Sequence, residues 1–322
     1  MTASADFALL PCGASPGDAR LQRWRANVGE PVSLDVSGPG GPEPGNSASS
    51  LLVLSWNLWV GRGRLVEVLE RLRAGALAAL GARRDLPMVV LLQEAYRKDA
   101  TVPRRSNRMV PRDLVTRIRS REDVVESARR LGWNLRYAPS MRNGAEPSDR
   151  GNAILSTLPL EEARGLELPL VLQRRVAVAA TVGLGRRRLL LVSAHLDPRG
   201  PPGHKWLGAA GRAHQAIHLL AALEDDTVIL GADLNLARGR AERTWRLLGD
   251  AGFAFGVPPG VPPWRHTYHA LPRLVLDYIL VRDRGGTIRA AGVHRLDEDP
   301  RDRGSTVFGS DHHPLLARID FR

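Results

Sequence analysis

Five short apolar runs in this 322-residue chain end on, or contain, a side chain that can bind a cation or move a proton. They are SWN at Asn57, LLQE at Glu94, SAH at His195, GAD at Asp233 and LDYILV at Asp277. Asn235 stands two residues beyond Asp233, and Asp311 and His312 sit in GSDHHPLL, just ahead of one more apolar run. Together these residues offer four carboxylates, two carboxamides and two imidazoles. Such an oxygen-rich set suits Mg²⁺, which takes octahedral oxygen ligands, keeps several waters and needs only one or two carboxylates besides phosphate oxygens. The imidazoles add general acid and base capacity, and His312 paired with Asp277 would have its tautomer fixed and its basicity raised. Taken singly, each residue also has an ordinary reading. Asn57 could be a turn residue, Glu94 a helix cap, and Asp277 a buried hydrogen-bonding group.

The elements that must position these groups follow an α/β rhythm from Leu51 onward. Strands are expected at 51–57, 86–94, 151–157, 174–182, 188–195, 226–233, 273–281 and 314–321, and helices near 64–80, 122–131, 207–223 and 241–251. GLGRRR, between Val182 and Leu189, reads as a tight turn, so its flanking strands should form an antiparallel hairpin in a mixed sheet. Residues 1–50 end in SGPGGPEPGNSASS and read as a tail and linker, because such composition cannot bury enough apolar surface to offset its ordering entropy. Residues 51–322 then form one catalytic domain, with its site on loops at strand ends.

Composition narrows the function class. A formal net charge of +12 and a pI near 11.1 favour polyanionic partners, although only Lys98 and Lys205 are lysines, so a GC-rich coding bias would produce much of the same excess. Residues 97–150 hold 14 Lys/Arg against 7 Asp/Glu, with Trp133 and Tyr137 interspersed, which suits a nucleic-acid groove or a solvated loop and helix. The single Cys12 excludes an intrachain disulfide framework and a thiol-based zinc site. No apolar run approaches the roughly 18–20 residues needed to span a bilayer, and the N-terminal stretch lacks the basic flank of a secretory signal, so a cytoplasmic location is expected. His214 and His218 in HQAIH miss the HExxH zinc-protease pattern, having Gln215 where the Glu belongs. Asp197, before a proline, reads as a turn starter rather than a ligand.

In order and approximate spacing, SWN, LLQE, GNAILS, SAHLD, GADLN, LDYILV and GSDHHPL resemble the endonuclease/exonuclease/phosphatase superfamily over about residues 51–320. The resemblance implies a four-layer α/β sandwich, two packed mixed β-sheets flanked by helices. It also implies that Asn57 and Glu94 hold or orient Mg²⁺, with Mn²⁺ as a substitute and Asp311 as a further ligand or support. By the same token Asp233 and Asn235 would position the attacking water and the phosphate, His312 oriented by Asp277 would complete the site, and His195 would donate to the phosphate. Arg150 and Asn152, at the start of GNAILS, become expected substrate contacts. The superfamily includes deoxyribonucleases, abasic-site endonucleases, sphingomyelinases and inositol-phosphate phosphatases, so fold alone leaves the substrate open. His195 in SAHLD departs from the abasic-site pattern. A phosphoester substrate, DNA or RNA first, is expected, with no obligate protein partner. The alternatives are a phosphatase or phospholipase C-type enzyme on a small or lipid substrate, and an inactive anion- or nucleic-acid-binding module.

Overall fold

The computed structural model describes residues 7–36, 49–76, 86–106, 120–199, 208–298, 304 and 306–322. In chain order the elements are β1 (Ala8–Pro11), α1 (Ala19–Arg25), β2 (Val32–Leu34), β3 (Ser50–Asn57), α2 (Leu65–Arg73), β4 (Met88–Arg97), α3 (Val124–Leu131), β5 (Asn134–Arg142), β6 (Asp149–Ser156) and β7 (Glu161–Glu167). They continue with β8 (Val176–Leu184), β9 (Arg187–His195), α4 (Ala209–Ala221), β10 (Thr227–Asp233), α5 (Arg243–Asp250), β11 (Asp277–Asp283), β12 (Ile288–Arg295) and β13 (Leu315–Phe321).

These strands form two mixed sheets, in the order β1-β7-β8-β9-β10-β11 and β12-β13-β3-β4-β6-β5-β2. Period-two alternation explains how they stack. In β3, Leu51 and Val53 face the core shared by the two sheets, while Leu52, Leu54 and Trp56 face a second core closed by α2 and α3. Ala216 and Leu219 of α4 and Leu248 of α5 cover the outer face of the other sheet. Helices, sheet, sheet and helices therefore make four layers, as the resemblance implies. The predicted hairpin is present: Leu184 pairs with Arg187 across a two-residue turn whose Gly185 has φ 61°.

The expected strands and helices all appear, with three shifts: α2 ends at Arg73, short of the expected 80, and residues 77–80 lie outside those described. β4 runs on to Arg97 instead of stopping at Glu94, and β11 begins at Asp277 rather than carrying it near its middle. Five strands lack a sequence signal. β1 and β2 are very short, β5 is interrupted by Pro139 and carries Arg136 and Arg142, β7 begins with two glutamates, and β12 is half exposed.

Residues 8–34 are not the tail that composition suggests. Ala8–Pro11 pairs in parallel with β7, and Val32–Leu34 pairs antiparallel with β5, so this segment spans an edge of each sheet. The reason is tertiary. Leu21 and Trp24 of α1 are buried, Arg25 pairs with the buried Glu167, and the Gly29 N–H donates to Asp149 at 2.8 Å. Residues 37–48, most of the Gly/Pro/Ser-rich stretch, lie outside the described residues. Among those described, no helix is long and apolar enough to cross a membrane.

Candidate active site

Strand register brings the chemistry together. Asp233 at the end of β10 pairs laterally with His195 at the end of β9 and with Asp277 at the start of β11, placing three site residues in one row. From the facing sheet, Asn57 ends β3 opposite Gln93 of β4. A bulge in β4 between Leu92 and Ala95 then turns successive side chains to different sides. Gln93 reaches inward to donate to Gly231 O and Ser193 Oγ, tying the sheets together, while Glu94 adopts φ 50° and lines the site. A left-handed glutamate is uncommon and costs backbone energy, which the surrounding pairing must hold in place.

A cavity of about 610 Å³ opens at this end of the sandwich, and Asn57, Glu94, Arg150, His195, Asp233, Asn235 and His312 all line it. Asp277 stands behind His312, with Oδ2 accepting from His312 Nδ1 at 2.8 Å and from Thr267 Oγ1 at 2.6 Å. Asp233 Oδ2 accepts from Asn57 Nδ2 at 3.0 Å and lies 3.3 Å from His195 Nε2, while Oδ1 accepts the Asn235 N–H at 3.0 Å. His312 Nε2 stands 3.9 Å from both Asp233 Oδ2 and Asp311 Oδ1.

Asn152 and Asn235 each spend a side-chain N–H on the backbone. Asn152 directs its amide N–H to the carbonyls of Val176 at 2.8 Å and Ser193 at 3.4 Å, acting as a strut between sheets; it borders only a small adjoining pocket. Asn235 uses Nδ2 on Leu196 O at 2.9 Å. Asp311 is mostly buried, and its Oδ1 has no hydrogen-bond partner among the described residues.

The electrostatics separate the two histidines. Burial disfavours a charged His312, but the carboxylates of Asp277, Asp233 and Asp311 outweigh it and push the ring up to about 10. His195 goes well below its ordinary value, through burial and the positive charges of Arg175, His312 and Arg150. Burial first, and then the neighbouring Asp277, raise Asp233 far above the usual carboxylate range. Burial, with Glu94 adding repulsion, lifts Asp311 to about 6.

Sequence reasoning missed several wall residues. Arg175, Arg199 and Tyr268 line the cavity, as do Leu271, Pro272 and Leu274 on its rim. Asp197 is neither an exposed turn residue nor a cavity-lining group. Fully buried, it accepts from Arg175 Nε at 3.1 Å, Leu172 N at 3.0 Å and Gln215 Nε2 at 3.3 Å, and so fixes Arg175. In the 97–150 segment, Arg97, Arg136, Arg142 and Arg150 are buried, and Arg97 forms a buried ion pair with Asp149. These four therefore do not form an open basic surface, while 107–119 lie outside the described residues.

Acidic and histidine groups able to hold a divalent ion converge here, with Asp233, Asp277 and His312 presenting ligand atoms within 4.8 Å of one another. The architecture is shared with solved structures. D. rerio TDP2 humanized by 14 mutations aligns with a TM-score of 0.53 at 18% identity, covering 84% of this chain and 99% of that one. The human Nocturnin catalytic domain aligns at 0.51 and 17% identity, covering 91% and 98%. An endonuclease/exonuclease/phosphatase from Beutenbergia cavernae aligns at 0.53 and 18%, covering 85% and 72%. At such identities these likenesses speak for the fold, and no curated protein matches the chain by sequence. The family model for the endonuclease/exonuclease/phosphatase family matches residues 54–312, so the chain belongs to that family of hydrolytic phosphoesterases.

Proposed function

We propose that the chain is a Mg²⁺-dependent hydrolase that activates water for attack on a phosphodiester, with nucleic acid as its substrate. The observation that carries this reading is geometric: the buried Asp233 Oδ2 lies 3.3 Å from His195 Nε2 and 3.9 Å from Nε2 of His312, whose Nδ1 is held by Asp277 at 2.8 Å. Phosphodiester hydrolysis needs water deprotonated in line, charge stabilised on the non-bridging oxygens, and help for the leaving oxygen.

Asp233 takes the proton from water. Its raised proton affinity makes it a better base near neutral pH than an ordinary carboxylate, and the Asn57 and Asn235 donors fix its two oxygens. His312 has Nδ1 committed to Asp277, which leaves the Nε2 proton to stabilise the transition state or to go to the leaving oxygen. Neutral His195 donates a hydrogen bond to a phosphoryl oxygen. Arg150 and Arg175 supply fixed positive charge to the same cavity.

The donor set fits the metal that the family implies. Glu94 reaches the cavity wall, and among the described residues the buried Asp311 Oδ1 is unpartnered and Asn57 Oδ1 accepts the Trp59 N–H alone and so keeps a lone pair. Glu94, Asn57 and Asp311 would hold Mg²⁺ or Mn²⁺, which when bound supplies Lewis-acid stabilisation of phosphoryl charge.

The net charge of +12 supports a nucleic-acid substrate, and a structure of similar fold, D. rerio TDP2 with a TM-score of 0.51, was solved with a single-strand DNA product. A second reading, a phosphatase or phospholipase C-type activity, is favoured by the apolar rim, where Leu271 is 85% exposed. An inactive binding module would have no need to keep all of these acid, base and metal groups.

The test is to incubate the protein and Asp233→Ala with supercoiled plasmid, single-stranded DNA, RNA, sphingomyelin and phosphate monoesters, each with Mg²⁺ and with EDTA. Mg²⁺-dependent nucleic-acid cleavage, reduced by about 10² to 10⁴ in the variant, is expected. Cleavage of sphingomyelin or monoesters alone would favour the second reading, and EDTA-insensitive activity would sink both.

A further inference from the structure

Beside the catalytic cavity, and lining no part of it, stands a second group of histidines. His266 and His269 lie on the loop before β11, and His313 directly follows the catalytic His312. Backbone pairing brings the two segments together. His269 N donates to Asp311 O at 2.7 Å, His313 N donates to Thr267 O at 2.8 Å, and Tyr268 bridges to His312.

The outer ring nitrogens are committed to groups that can only accept. His269 Nε2 lies 2.8 Å from Gly304 O, and His313 Nδ1 lies 3.2 Å from Leu296 O and 2.9 Å from Asp297 Oδ1. Each of these nitrogens must therefore carry its ring's proton. In the neutral rings the inner nitrogens, His269 Nδ1 and His313 Nε2, then aim lone pairs at each other across 3.0 Å. Two facing lone pairs repel unless a cation lies between them. The His266 ring supplies a third ligand, all three nitrogens falling within 4.8 Å of one another. Two imidazole nitrogens on a tetrahedral zinc would be roughly 3.3 Å apart, so the His269–His313 pair already stands near that spacing and the His266 ring would close in on it. Asp297 behind His313 is the orienting carboxylate that metal-bound histidines usually have.

We propose that His266, His269 and His313 form a structural site for Zn²⁺ or a similar transition-metal dication, separate from the catalytic carboxylates. Three imidazoles select such an ion over Mg²⁺, which prefers oxygen. Arg295 and Arg273 are opposing charges nearby; the Arg295 guanidinium is taken up by Asp297 and by His266 O. The ion would rivet the loop bearing Tyr268, whose ring lies 5.0 Å from that of His312, to the segment bearing the catalytic histidine. This assignment holds whatever the substrate.

The test counts Zn²⁺ by mass spectrometry in full-length protein dialysed after equimolar loading, with millimolar Mg²⁺ present to occupy the catalytic carboxylates. One Zn²⁺ per chain is expected in the wild type. It should be lost in His266→Ala and bound about 10- to 100-fold more weakly in Asp297→Asn, which keeps all three ligands. Co²⁺ should give tetrahedral visible absorption in the wild type but not in His266→Ala, with circular dichroism reporting that each variant is folded. Zn²⁺ retention unchanged in both variants would overturn the site. So would retention lost in Asp233→Ala but kept in His266→Ala, or a proton bridging His269 and His313 found by NMR in place of any bound zinc.

Discussion

Replacing Asp277 with Asn removes one charge from the His312 couple while leaving an oxygen to accept from Nδ1. The carboxylate is 2.8 Å from Nδ1, which at an effective dielectric constant of about 20 corresponds to about 6 kcal/mol of Coulomb attraction. His312 stands at about 10 against an ordinary 6.5, a displacement of about 3.5 pH units and, at 1.36 kcal/mol each, about 5 kcal/mol. The pair interaction is thus as large as the whole displacement, and Asp233 and Asp311, each 3.9 Å away, are left to oppose burial. Asp277→Asn should therefore move the descending limb of kcat/KM, measured in Mg²⁺ on a soluble phosphodiester, down by about 2 pH units or more. The rate at neutral pH should fall by about 10² or more, as happens when a histidine's orienting carboxylate is lost. Stability offers an independent readout. Because the folded value lies above the unfolded one, this histidine's contribution is complete below 6.5 and disappears as pH rises through about 10. The difference in unfolding free energy between wild type and variant should accordingly be greatest below pH 6.5 and shrink by pH 10.5. A limb that stays within half a pH unit, or a stability gap independent of pH, would refute the assignment of His312 as the charged group.

Other outcomes follow from the same geometry. Glu94→Gln removes a candidate carboxylate ligand from the cavity wall and should weaken Mg²⁺ or Mn²⁺ binding by about 100-fold in calorimetry, without lowering the melting temperature of the metal-free protein. Arg175→Ala should cut kcat/KM by about 10- to 100-fold and let the His195 resonance titrate at higher pH, because Arg175 is the foremost charge holding that ring neutral. Deleting residues 1–36 would uncover the β5 and β7 edges and leave Asp149 and Glu167 with fewer partners. Size-exclusion chromatography should then show aggregation, and urea melts should show a loss of several kcal/mol.

Much of the proposed site is legible because Asn57, Glu94, His195 and Asp233 each end a run of apolar residues whose type is plain. Register does the rest, since His195, Asp233 and Asp277 form one row once β9, β10 and β11 are paired. What stays hidden depends on partners remote in sequence. Tyr268 belongs to a loop with no periodicity, and Arg175 reads as a strand-end charge until Asp197 is seen to hold it. The arginines at 97, 136 and 142 read as solvated, yet they lie inside, with Asp149 or backbone carbonyls taking up their donors. Residues 7–36 carry too few apolar groups to declare a strand or helix; they are held by edges built from residues more than a hundred positions later. Glu94 is recognisable as a functional carboxylate, but nothing in LLQE announces the bulge that lets Gln93 and its neighbour face different ways.

The order in which the chain is made gives β13 a special position. Leu315–Phe321 is the last of the described strands to leave the ribosome, yet it lies between β12 and β3, pairing with residues more than 250 positions upstream. Until it arrives, β3 exposes an apolar margin, and Asp311 and His312 have no scaffold. The nascent polypeptide must therefore carry an unfinished sheet from the emergence of β3 until residues 315–321 follow, a period in which chaperone capture would compete with misassociation. One event, insertion of this strand, then completes the larger sheet and seats His312 against Asp277, so a product ending before Leu315 would leave β3 unpaired on that side and His312 without its scaffold.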